Sequence, residues 1–217
     1  MAKRSSFGPL VLVMAALSCS FYVACGDDDV VIVQAGRMAP LKGHVVLLDA
    51  LAGLRGNPRW VCWQIGGPQR SDEGRYAGDL ERQARRLGIA ERVRFLGARS
   101  DVASLLAAAD LYCQPNVQPE TFGLTFVEAL AAGLPVVTSD LGAAREIVDG
   151  RCGLLVPACD SRALAASLEI LVDDDRRRRQ LGAAGPERAE ALCDPRRQLT
   201  RLAQALAAVA HGHASLC

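Results

Sequence analysis

No two of the eight cysteines stand two residues apart, so the sequence has no framework for a structural zinc ion. A metal site is therefore not expected, and neither is a disulfide scaffold in a chain of 217 residues. Cys62 and Cys113 fall inside apolar, strand-like runs and are expected as small buried hydrophobes. A surplus of charge is also lacking. With 25 Lys and Arg against 24 Asp and Glu the net charge is +1, which excludes a whole-protein field drawing in nucleic acid or an anionic membrane. No nucleic-acid partner is expected, and basic residues carry meaning only through their local position.

A long uninterrupted apolar stretch is missing too. The nearest approach, Pro9 to Cys25, covers 17 residues and is broken by Ser18 and Ser20. Lys3-Arg4 precede it and Asp27-Asp28-Asp29 follow it. Its length is at the lower edge for crossing a bilayer, and the small residues a signal-peptide cleavage site needs are weakly present near Ser18, Ser20 and Ala24. The charge asymmetry would send the rest of the chain out of the cytoplasm.

What is present is a large apolar fraction, 50% of residues, enough for one substantial core. Val30-Val31-Ile32-Val33 is a β-branched run suited to a strand buried on both faces, and it ends at Gly36. From Lys42 onward Val45, Leu48, Leu51 and Ala52 recur at three- and four-residue intervals, predicting a helix that ends at Asn57-Pro58.

The alternation then repeats. It predicts strand 60–65, helix 79–87, strand 92–96, helix 101–109, strand 111–113, helix 122–132, strand 135–138, helix 143–148 and strand 153–156. Leu164, Leu168 and Leu171 mark a further helix, and Leu199, Leu202, Leu206 and Val209 a last one. Between them, Arg176–Arg179 follow Asp173–Asp175, which cancel their charge, so the run is expected to be a solvated helix start. Strands alternating with helices imply an α/β fold with a doubly wound parallel sheet, Rossmann-like in kind. In such sheets ligands bind beyond the carboxyl ends of the strands. Gly36-Arg37, Gly66-Gly67-Pro68, Gly97, Gln114-Pro115 and Ser139 all fall there. Glycines at these turns let a ligand approach the backbone closely.

The densest signal is Pro119 to Asp140, PETFGLTFVEALAAGLPVVTSD. Glu120 and Glu128 stand with seven residues between them around a helix start. Phe122, Gly123 and Leu124 place free backbone N–H groups beside Glu120, where helix starts attract phosphate. Glu128 lies about two turns further on. One carboxylate can hold a sugar and the other a nucleoside. Gly133 and Pro135 stop the helix and open the strand Val136-Val137.

This segment resembles the signature of glycosyltransferase family 4, the group 1 glycosyltransferases, and the similarity extends from about Val30 to about Leu206. Gly36-Arg37 and Leu41-Lys42-Gly43 resemble the paired basic residues of that family, which implies that Arg37 and Lys42 hold the donor diphosphate. Ser139 to Val148 resembles the segment closing the core of the fold, with a mainly structural role. The resemblance assigns Glu120 to the donor sugar and Glu128 to the ribose, and expects the base to meet backbone near Gly97. His44, beside this loop, is expected to be a plain helix-start residue.

The implied architecture is the C-terminal half of a GT-B fold, in which a separate amino-terminal domain binds the acceptor. The implied activity is retaining transfer of a sugar from a nucleoside-diphosphate sugar to an unknown acceptor, with Glu120, Arg37 and Lys42 at the reacting centre. The donor is a substrate, and no cofactor is expected. A non-catalytic nucleotide-sugar-binding subunit remains the alternative. A nucleotide-sugar epimerase or a phosphorylase of the same architecture would need full-length partner domains, and the phosphorylase a pyridoxal-holding lysine motif that is absent. Residues 30–210 are expected to form the nucleotide-sugar-binding domain and 211–217 a tail. Residues 1–29 are expected to be an atypical start standing where the acceptor domain would end, with a targeting or anchoring segment as the alternative. Because nucleotide sugars are on the inner side, a cytoplasmic location is expected, with membrane association left open by that segment.

Overall fold

A computed structural model of the chain describes residues 29–70 and 73–213, without the side chains of 210–213. Apart from Asp29, the atypical apolar segment 1–29 lies outside the described residues, as do 214–217 at the end of the tail.

Six strands form one parallel sheet: β1 Val30–Ala35, β2 Trp60–Ile65, β3 Val93–Gly97, β4 Leu111–Gln114, β5 Val136–Ser139 and β6 Gly153–Val156. Their order across the sheet is β3-β2-β1-β4-β5-β6. Strands β1, β2, β4 and β5 are buried from end to end, because a parallel sheet with helices on both faces leaves its inner strands no wet side. The central register aligns Ile32 with Cys62 on one flank and with Leu111 on the other.

The helices are α1 His44–Gly53, α2 Glu73–Arg86, α3 Val102–Ala108, α4 Leu124–Ala131, α5 Ala144–Ile147, α6 Ser161–Asp173, α7 Asp175–Cys193 and α8 Pro195–His213. Leu47 and Leu51 of α1, Leu80 of α2, and Leu164 and Leu168 of α6 bury one face of the sheet against Ile32, Cys62 and Cys113. On the opposite face Leu106, Phe126, Leu130 and Ile147 close over Val33, Trp63 and Tyr112. This is the α/β, doubly wound parallel sheet that the alternation of elements implies. Cys62 and Cys113 are buried free thiols, as their apolar surroundings suggest, and burial pushes the Cys62 thiol up to about 12. No helix among the described residues is long and apolar enough to cross a membrane.

Two features depart from the sequence reading. Helix α2 starts at Glu73, a turn and a half before the expected Asp79, because Glu73 caps the preceding loop. Of the basic run, Arg176, Arg177 and Arg179 are exposed as expected, but Arg178 is buried. Its guanidinium donates to the carbonyls of Leu171 (2.6 Å) and Val172 (3.3 Å) and pairs with Asp175 at 2.7 Å. It therefore satisfies the otherwise orphaned last turn of α6.

Helix α7 begins where the basic run was expected to start a helix and continues to Cys193. The stretch Leu181-Gly182-Ala183-Ala184-Gly185-Pro186 has the composition of a loop, yet it is helical throughout, with Pro186 inside. The glycines allow a close crossing. A Cβ on Gly182 would sit 2.3 Å from the Gly133 carbonyl oxygen, and one on Gly185 2.6 Å from that of Leu130. Helix α7 thereby lies directly on the end of α4, and Arg188 reaches across to the carbonyls of Glu146 and Ile147 at the end of α5.

A pair of substitutions separates packing from propensity. Gly78 in α2 would present a Cβ only to the flexible end of Arg82, at 3.4 Å. We expect Gly78→Ala to raise stability by up to about 1 kcal/mol, as helix propensity dictates. Gly182→Ala is expected to lower it by about 1–3 kcal/mol, the usual cost of overpacking. Urea denaturation of the two variants should show shifts of opposite sign.

Candidate functional site

Strand order reverses between β1 and β4, so the chain leaves these neighbouring strands in opposite directions and a crevice opens beyond their carboxyl ends. The loop after β1, residues 36–43, and the loop after β4, residues 115–123, form its two lips. They are held close. Val117 N donates to Leu41 O at 3.0 Å, and Gln34 Nε2, from the end of β1, donates to Lys42 O at 2.8 Å. Gly43 has φ 72°, and a Cβ there would lie 1.7 Å from the Pro115 carbonyl oxygen. Glycine alone accommodates both the left-handed backbone and the approach.

This closeness brings Lys42 and Glu120 together. Lys42 Nζ donates to Glu120 Oε2 at 2.7 Å, with side chains 17% and 12% exposed. Asn116 Nδ2 donates to the same oxygen at 3.1 Å, and Thr121 N to Oε1 at 3.2 Å. Partial burial works to raise the Glu120 carboxyl, but the hydrogen bond and charge of Lys42, with Asn116 and Thr121, outweigh it and hold the group below the usual glutamate range. Behind it, Ala143 N donates to Glu120 O at 2.9 Å. Gly142 lies so close that a Cβ would be 2.5 Å from that same oxygen. The loop after β5 is thus a brace for Glu120, in keeping with a structural role for the segment 139–148.

Arg37, on the same loop as Lys42, turns towards the second strand. Its Nε stands 3.3 Å from Glu73 Oε1. Glu73 is only 4% exposed, and its other oxygen accepts the backbone amides of Gln69 (2.6 Å) and Arg70 (3.3 Å). One carboxylate thus fixes the loop after β2 and orients the guanidinium. The sequence reading did not include Glu73. An acidic residue in the first turn of a helix was the available signal, but the helix start was set too late to use it. Gln114 was expected at this rim as a strand-end residue, but Asn116 was missed, because buried amides carry no periodic pattern.

The remaining expected residues line the same rim. Gly36 leaves room for Gln114, whose Oε1 would be 3.2 Å from a Cβ at that position. Gly97 ends β3, and beyond its chain neighbours no atom of the described residues lies within 4 Å of a would-be Cβ. At α4, Gly123 is the N-terminal cap, and its carbonyl accepts the amides of Phe126 and Val127. The N–H groups of Leu124 and Thr125 precede those bonds and point out of the helix start. Phe122 and Leu124 are 67% and 57% exposed at the mouth. Glu128 is exposed on the second turn of α4 and, among the described residues, makes no ion pair with Lys42 or Arg37. No group of three His, Cys, Asp or Glu among the described residues could hold a metal ion.

His44 opens α1 directly behind Lys42 and is 2% exposed, edge-on to Tyr76 with ring centroids 5.8 Å apart. Burial lowers its pKa to about 4; the Ala39 carbonyl opposes the shift and the Lys42 charge adds to it. His44 is therefore a neutral core residue under the loop after β1, consistent with a plain helix-start residue.

Comparison with known proteins bears on the whole of this region. The family model for "Glycosyl transferases group 1" matches residues 23–188. A phosphatidyl-myo-inositol mannosyltransferase of Mycobacterium leprae is 46% identical over 151 residues, 68% of this chain and 38% of that protein. A D-inositol 3-phosphate glycosyltransferase of Stackebrandtia nassauensis is 38% identical over 173 residues, again 38% of its length. The chain thus spans about two fifths of the curated relatives it matches. Among solved structures, Anabaena HepE in complex with UDP and glucose superposes with TM-score 0.76 at 31% identity, covering 83% of this chain and 48% of that one. The C-terminal domain of a group 1 family protein, LpcC, from Francisella tularensis superposes with TM-score 0.68 at 26% identity, over 75% of this chain and 85% of that one.

The depressed His44 pKa sets a pH window for stability. The unfolded chain binds a proton at His44 below about pH 6.5, whereas the folded chain resists it until about pH 4, so stability is full above 6.5 and falls as the pH drops towards 4. At about 1.4 kcal/mol per pKa unit, the loss is on the order of 3 kcal/mol. We expect His44→Gln to flatten the pH dependence across that window, as read by urea midpoints at pH 7 and pH 4.5.

Proposed function

The chain belongs to the group 1 glycosyltransferases, and on that footing we propose that it is the donor-binding domain of a retaining glycosyltransferase, the C-terminal half of a GT-B pair. It would take a sugar from a nucleoside-diphosphate sugar and pass it to an acceptor held by a second domain. The observation that carries this reading is the contact of Lys42 with Glu120 across the switch point of the sheet. It sets a cation for phosphate and an acceptor for sugar hydroxyls side by side where such sheets bind ligands.

Breaking the bond between sugar and diphosphate builds negative charge on the leaving phosphate and positive charge on the sugar carbon. Arg37, Lys42 and the amides of Leu124 and Thr125 offset the first, and they do so best in a site whose dipoles are already oriented. Glu120 accepts hydroxyls of the donor sugar and Glu128 those of the ribose, while the open backbone at Gly97 meets the base. A leaving phosphate oxygen takes the proton of the acceptor, so the anomeric configuration is kept without a general base from this domain.

Both cations are matched by carboxylates, Arg37 by Glu73 and Lys42 by Glu120. A lysine has three N–H donors and an arginine five, so phosphate oxygens meet the donors that these carboxylates leave over, already oriented. Both the UDP and the glucose of the Anabaena complex suit a nucleoside-diphosphate sugar as donor here, and a cytoplasmic location follows from where such donors are made.

Calorimetry with UDP, GDP and ADP on the folded chain tests the reading. At least one should bind, and no detectable heat with any of them would overturn it. Lys42→Ala should weaken the diphosphate that binds by about tenfold, the worth of one charge-assisted contact. Glu120→Gln should weaken the corresponding nucleotide sugar far more than the diphosphate alone. Binding without turnover, in the presence of the acceptor domain, would favour the non-catalytic module instead.

A further inference from the structure

The carboxylate of Glu120 is the end of a line of hydrogen bonds that starts in the core of the sheet. Tyr112, fully buried on β4, shares its single hydroxyl proton between Ala35 O and Gln114 Oε1, each at 3.0 Å. Gln114 Nε2 donates to Asn116 Oδ1 at 3.0 Å, and Asn116 Nδ2 to Glu120 Oε2 at 3.1 Å. Every amide in the line is oriented by the next: Asn116 must turn its nitrogen to the carboxylate, so its oxygen faces Gln114, whose own oxygen faces the tyrosine. Gln114 and Asn116 are 0% and 2% exposed. The strand frame holds the line from behind, since Thr138 Oγ1 donates to Gln114 O at 2.8 Å and Asn116 N to the same oxygen at 3.0 Å. Gly36 leaves the space that the Gln114 amide occupies.

We propose that Asn116, oriented by Gln114 and Tyr112, is a positioning residue that fixes the rotation of the Glu120 carboxylate for a donor sugar. The proposal rests on the donor-binding reading above and assigns a role to residues outside the phosphate and sugar contacts themselves. A carboxylate has about four lone-pair positions. Lys42 and Asn116 take both on Oε2, and Thr121 N takes one on Oε1. A single accepting direction, on Oε1, is left for a sugar hydroxyl. Without Asn116 the carboxylate is held only by a flexible lysine and one long amide contact, and it can rotate about its last torsion. The donors in the line all point towards the charge, so each strengthens the next. Diphosphate binding, by contrast, does not call on Oε1.

The test compares UDP-glucose and GDP-mannose with UDP and GDP on the full chain by calorimetry, together with a carboxyl NMR titration of Glu120. In Asn116→Ala the nucleotide sugar that wild type binds should weaken about tenfold, the worth of one hydrogen bond to a charge, while its parent diphosphate changes less than twofold. Glu120 should titrate at a higher pH than in wild type. Asn116→Ser, which returns a hydroxyl donor with a smaller void, should recover part of both effects and serves if the alanine variant unfolds. Parallel loss of sugar and diphosphate affinity, or no loss of either, would overturn the proposal. If wild type binds none of the four ligands, the donor-binding reading fails. The titration still decides the hydrogen-bond line, because an unmoved Glu120 in both variants refutes it.

Discussion

The Lys42–Glu120 ion pair at 2.7 Å depends on two loops from non-consecutive strands being pressed together where the sheet reverses direction. Nothing in either loop alone would hold it. The approach requires a glycine at 43, whose absent Cβ makes room for Pro115, and a second at 142, which lets the loop after β5 brace the backbone of Glu120. Once these contacts are made, two opposite charges sit in a partly buried crevice and need each other. Removing one would leave the other poorly solvated.

The same logic runs through the rest of the rim. Arg37 is held by a nearly buried carboxylate that is itself saturated by two backbone amides. A guanidinium held in this way keeps its direction at little entropic cost. His44 contributes by staying uncharged: with its pKa lowered to about 4 by burial, it supports the loop without adding a third positive charge. The exposed Phe122 and Leu124 give the mouth an apolar edge beside the free amides of α4.

Much of the fold was legible because burial on both faces forces strands into continuous apolar runs. Val30 to Val33, Trp60 to Trp63 and Val136-Val137 show it directly. The start of helix α7 was legible in the basic run Arg176–Arg179, but not how far it runs. Two glycines and a proline are poor helix formers, and only the backbone of α4 at Leu130 and Gly133 explains why this helix needs the glycines. Arg178 was hidden likewise: in a run of four arginines, only the position of the last turn of α6 decides which one is buried. At the site, Glu120, Lys42 and Arg37 stood out through their place at strand and helix ends. Asn116 and Glu73 did not, since a buried amide or cap is recognised only by the partner it meets in the fold.

By itself, then, the order of residues determined the alternation of strands and helices, the glycine turns at the strand tips and the chemical types available at each tip. These are local properties, set by side-chain shape, backbone freedom and the period of hydrophobicity. Tertiary structure alone decided that Lys42 meets Glu120 whereas Arg37 meets Glu73, and that the two glutamates of one segment have separate surroundings, one hydrogen-bonded on both oxygens and the other exposed. Charges and amides act through space over a few ångströms. Which of them come within that range is set by how the sheet brings remote loops together.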